Sequence, residues 1–165
     1  MSGYLAGSWS DFSVAVVGAS AALTGLLFVA VSINIEQILA TGALAARALC
    51  TMLLFVVPLV VGVLLLVPGQ SPSALGVELI ATGVVAGTGL LRVNRPANRG
   101  DLEPPLSWLL IRLGPSLAVP ASLVGGGTSL LAGAGGGLYW VVPAMVAAFL
   151  GGLATVWVLL VEIRR

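Results

Sequence analysis

Histidine and lysine are absent from this sequence, and Cys50 is its one cysteine. Without histidine there is no imidazole to relay a proton, and no G-x-S-x-G nucleophile elbow is present. A single thiol excludes a disulfide within the chain, a Cys/His metal site and a dithiol redox pair. The two aspartates, Asp11 and Asp101, are far apart in sequence and do not form an obvious catalytic pair. These absences argue against an enzyme and leave no metal or cofactor expected. Cys50 lies within an apolar run, where a lone cysteine behaves as a small hydrophobe.

Charge is equally scarce. Charged residues make up 8% of the 165 residues, against 59% hydrophobic, whereas a soluble domain is roughly a quarter charged. So few charges cannot cover the surface of a water-soluble globule. Lipid is the solvent in which so apolar a surface is stable. The net charge is +1, and Asp101 and Glu103 sit beside the densest arginine cluster, so a nucleic-acid partner is not expected.

Five apolar runs can be separated, at about 13–40, 43–67, 74–91, 106–132 and 138–163. Each approaches or exceeds the roughly 20 residues that cross a hydrocarbon core. The expected fold is therefore all-α: one polytopic bundle of five spans. Met1–Phe12 carries no basic residue, so it lacks a signal peptide's positive n-region, and the first run reads as a retained span. Gly42 is placed to end the first helix. Ser71 and Pro72 are placed as N-cap and first residue of the third. Pro115, Pro120 and the triplet Gly125-Gly126-Gly127 make the fourth run irregular. It reads either as one kinked helix whose Arg112 snorkels, or as an interfacial helix followed by a span.

All seven basic residues are arginines. With five crossings and the N-terminus outside, Arg47, Arg92, Arg95, Arg99, Arg112, Arg164 and Arg165 all fall on the cytoplasmic side, as the positive-inside bias requires. The C-terminus is then cytoplasmic and the expected location is a bacterial plasma membrane. Trp9, Tyr139 and Trp140 fall at the outer boundary, and Trp108 and Trp157 near the inner one. Arg47, Arg92, Arg95 and Arg99 mark the cytoplasmic face, with anionic lipid as one expected contact.

The first run is the most patterned. Gly18, Ala22, Gly25, Val29, Ser32 and Glu36 form one helical stripe, beside a second that holds Ser13, Ser20, Thr24 and Asn34. Small residues let membrane helices approach closely, so a central, packed helix is one reading. An aqueous path lined by Ser20, Thr24 and Asn34 is the other. Glu36 and Arg47 each stand five residues from the turn pair Thr41-Gly42. They are expected either to clamp a hairpin as an ion pair or to set a cation-attracting Glu36 ring at a pore mouth. Glu78 lies roughly 10 Å along its helix with no arginine on its side. It reads as a headgroup-reaching carboxylate or, with Asp11 and with Thr82 on the same face, as a cation or proton site. Gly83 and Gly87 form a G-x-x-x-G helix-pairing motif whose partner the sequence does not name.

The run Gly18–Ala40, with its A-L-T-G-L-L-F-V-A-V-S-I-N core, resembles small uncharacterised membrane proteins of GC-rich actinobacteria. The resemblance covers mainly the first hairpin and implies no particular activity. Three functional classes follow from the sequence: an oligomeric pore or passive transport protein for small cations, a structural or accessory subunit of a larger membrane complex, and a binder of lipid or small apolar ligands around the broken fourth helix. Membrane lipids, a second copy of the chain and other membrane subunits are the expected partners.

Overall fold

The computed structural model describes residues 2–40, 42–95 and 108–163. Five helical segments are long and apolar enough to cross a membrane: Ala6–Ile33, Gly42–Leu65, Pro72–Val93, Leu109–Ala132 and Gly137–Leu159. Each overlaps one of the five expected runs, and no strand occurs among the described residues. The chain has the build of an integral membrane protein.

Local chemistry sets the helix ends. The first helix, Ser10–Ile33, stops at Asn34 and does not run on to residue 40. The Asn34 side chain donates to the Ala30 carbonyl at 2.8 Å, and its backbone N–H donates to Val31 rather than Ala30. That local bonding competes with the helical ladder, and a short separate helix, Ile35–Ala40, follows. Gly42 does not act as the expected stop. It is the first residue of the second helix, Gly42–Leu65, and is not among the glycines with positive φ. The third helix, Pro72–Val93, begins as expected: the Ser71 hydroxyl accepts from Ala74 N–H at 3.2 Å, with Pro72 in the first turn.

The fourth segment is continuous. A π-helical turn, Trp108–Leu113, runs directly into the helix Gly114–Ala132. Gly133, at φ 63°, ends it. A left-handed residue there lets the next N–H groups return to the last carbonyls, and glycine adopts that conformation without steric penalty. The fifth helix, Val141–Ile163, follows a glycine loop and a 3-10 turn, Gly137–Trp140.

Lipid provides no hydrophobic drive for helix association, so close packing must hold the bundle together. The second helix is central and touches the first, third and fifth. The third and fourth share the most extensive contact, along an antiparallel glycine seam. A Cβ at Gly76 would stand 2.9 Å from the Gly127 carbonyl oxygen, and one at Gly127 would stand 2.5 Å from that of Gly76. Further along, a Cβ at Gly83 would meet the Pro120 carbonyl at 3.1 Å, and one at Gly87 the Pro120 ring at 3.0 Å. The Gly83/Gly87 motif is thus used inside the chain, against the fourth span. Gly151 and Gly152 do the same for the fifth helix, receiving Pro115 and the Phe55 ring. The first helix is peripheral rather than central. Its inner face, with Ser13, Val16, Ser20 and Leu27, packs on the second helix.

Candidate functional site

The helix ends gather into two polar regions. One lies where the second and fourth spans begin and the third ends. Arg112, in the π-helical turn, is 1% exposed, and Arg47, in the second turn of the second helix, is 3% exposed. Arg112 therefore does not snorkel. Its Nε donates to Asn94 Oδ1 at 3.0 Å. Asn94, the C-cap of the third helix, donates in turn from Nδ2 to Ser116 Oγ at 2.7 Å and to Cys50 Sγ at 3.2 Å. Ser116 Oγ donates to the Arg112 carbonyl at 2.6 Å, and Thr51 Oγ1 to the Arg47 carbonyl at 3.0 Å. One asparagine thus bridges three spans. A buried guanidinium is tolerable only when hydrogen bonds replace lost water, and Asn94 supplies one acceptor. Arg92 and Arg95 are exposed at this same end. Arg99 lies outside the described residues.

Glu36 and Arg47 form no ion pair with each other. Glu36 is exposed, whereas Arg47 points into the bundle, because Cys50 and Thr51, one turn on, are buried on the same face.

The opposite end is built on the glycine loop. Gly133, Gly135, Gly136 and Gly137 all have positive φ, and the bent backbone turns its N–H groups inward. Gly136 N–H donates to Tyr4 Oη at 3.1 Å and Gly137 N–H to Ser129 Oγ at 2.7 Å. Ser129 Oγ also bonds the Ala134 carbonyl, and Trp140 Nε1 donates to the Gly135 carbonyl at 2.9 Å. Trp9 packs edge-on against Tyr139 and Phe12, with ring centroids 5.2 and 5.5 Å away. Glu78 is half-buried near this end and has a partner: the Gln70 side-chain amide donates to Glu78 Oε2. A cavity of about 480 Å3 lies here, between the N-terminal 3-10 turns and the turn joining the second and third helices.

The six residues expected to line an ion path are not brought together. Ser20 and Thr24 face the second helix; neither hydroxyl has a partner there, and both are closed to solvent. Asn34 bonds its own helix. Glu78 and Thr82 belong to the third helix, which packs on the fourth and second. Thr82 lines an apolar lateral groove with Val57, Val60 and Val85, and Thr24 lines another with Leu27, Phe28 and Leu49. The packing glycines divide. Gly83 and Gly87 are buried in the seam, whereas Gly18 and Gly25 are exposed and face open space. The whole stripe Gly18, Ala22, Gly25, Val29, Ser32 and Glu36 is exposed.

Sequence reasoning missed Asn94, Ser116 and Gln70. A signal existed for the first two, because an arginine inside an apolar run requires a partner at the same depth. Comparison with protein-family models, with curated proteins and with solved structures finds no match.

Proposed function

We propose that this protein is a multi-pass subunit of the bacterial plasma membrane that assembles through the outer face of its first helix. The observation that carries this reading is the exposed stripe from Gly18 to Glu36. Glycine and alanine facing lipid forgo side-chain contacts, whereas a second helix at close approach recovers them. Copies in one membrane run in the same direction, so the stripe meets its own counterpart about a two-fold axis, as in most homo-oligomers. Arg47, Arg92, Arg95 and Arg112 share one end of the bundle, which supports a cytoplasmic position for that end and an outer position for the glycine loop.

The test is disulfide crosslinking of Ala22→Cys in a Cys50→Ala background, in nanodiscs loaded from dilute detergent. A crosslinked dimer that disappears with Gly25→Leu is expected. Crosslinking no greater than that of a lipid-facing control such as Val85→Cys would remove the self-association reading. A distinct membrane subunit copurifying in fixed stoichiometry would make the face an accessory-subunit contact instead.

A second reading, a cation pore, is favoured by Ser32 and Glu36 lying on that same face, where assembly of more than two copies about one axis would place a ring of carboxylates at the arginine end. Glu36→Gln should then abolish cation flux into liposomes. Unchanged flux would sink the pore and leave the assembly reading standing.

A further inference from the structure

The cavity at the glycine-loop end has the size of a ligand site. Its volume of about 480 Å3 falls inside the range of about 300–1,000 Å3 typical of small-molecule pockets. Leu65, Val67 and Leu75 give it apolar walls; Tyr4, Ser8 and Gln70 give it polar groups. Two of these are already oriented. The Tyr4 oxygen accepts from Gly136, which leaves its O–H proton available to donate. The Gln70 amide is held by Glu78.

Among the described residues, the full charges nearest the cavity are negative. The Glu78 carboxylate stands behind Gln70, and Asp11 directly follows Ser10, another lining residue. The second helix ends at Leu65 on the cavity wall, presenting the partial negative charge of its carbonyl end. Two helix N-termini, at Ser10 and Pro72, border the cavity with the opposite partial sign. Asp11 lies in the first turn of one, and the Ser71 hydroxyl caps the other. Every arginine among the described residues lies at the far end of the bundle.

We propose that this cavity binds an organic monocation with an apolar body, the chemistry of a quaternary ammonium. The cationic group is matched by the Tyr4 ring and the helix carbonyl end on the wall, and at longer range by the Glu78 carboxylate behind Gln70 and by Asp11 beside Ser10. The apolar body is matched by Leu65, Val67 and Leu75. An anion of the same shape would face the two nearby carboxylates, with no arginine among the described residues at this end to offset them. The same chemistry is found in a free ammonium and in the headgroup of a choline lipid.

The test uses the full chain in uncharged maltoside micelles and calorimetric titration with benzyltrimethylammonium or benzenesulfonate. Saturable binding of the cation is expected, with the anion at least about ten-fold weaker, the expected consequence of reversing the ligand's charge beside two carboxylates. Leu75→Trp, which fills the cavity, should abolish binding. Ser8→Trp, at an exposed lining position, should block the rim if Leu75→Trp does not fold. Asp11→Asn with Glu78→Gln preserves shape and should weaken the cation about five-fold through lost Coulomb attraction. Competition by added phosphatidylcholine would identify a lipid headgroup as the natural source, and lack of competition a free ammonium. No saturable binding, equal binding of the anion, or binding unchanged in a folded cavity-filling variant would overturn the proposal.

Discussion

Asn94→Ala strikes the polar knot at its centre. The substitution removes two donated bonds, to Ser116 and Cys50, and the acceptor of Arg112 Nε. Neutral interhelical hydrogen bonds in membranes contribute about 0.6 kcal/mol each. A bond from a charged donor contributes about 1.5–3 kcal/mol, so the bond from Arg112 dominates the loss, because the guanidinium stays buried. The expected loss is about 3 kcal/mol in all. Arg112→Ala should cost at least as much, since Arg112 makes contacts beyond Asn94. The double variant should cost less than the two singles together, with a coupling of about 2 kcal/mol. Reversible unfolding in mixed dodecyl sulfate and maltoside micelles, followed by circular dichroism, measures all three. If Asn94→Ala cost under about 0.5 kcal/mol, below a single neutral bond, or if the cycle were additive, the knot would not hold the three spans together.

Two further predictions test the packing and the helix start. Gly127→Val should destabilise strongly, by at least the roughly 1–3 kcal/mol of ordinary overpacking, because its Cβ would meet the Gly76 carbonyl oxygen at 2.5 Å; Gly18→Leu, facing open space, should leave unfolding of the monomer unchanged in the same assay. Ser71→Ala should cost about 1 kcal/mol through loss of the N-cap and should speed hydrogen exchange at Ala74, whose N–H it leaves without its acceptor.

The legible parts of this protein are those that depend on local chemistry. Ser71-Pro72 starts a helix because a hydroxyl and a ring do so wherever the chain is apolar beyond them. Asn34 misled because its polarity suggested a water-facing site, whereas a short amide side chain on a helix also bonds its own backbone. Gly42 misled because glycine permits a helix stop without requiring one. The pairing of Glu36 with Arg47 assumed a straight hairpin. The break at Asn34 and the inward face of Arg47 remove that symmetry.

Composition and run length alone determined an all-α chain with five helices long and apolar enough to cross a membrane, because a span must satisfy its own backbone in lipid and needs a fixed length of apolar sequence to do so. Tertiary structure alone decided which small residues meet protein and which face outward. Gly83 and Gly18 sit in similar patterns, yet one lies beneath Pro120 and the other is open. It also decided that Arg112 turns inward to Asn94 and that Glu78 holds Gln70 beside a cavity. Helical periodicity groups residues into faces, but which face meets which is settled only when the helices pack.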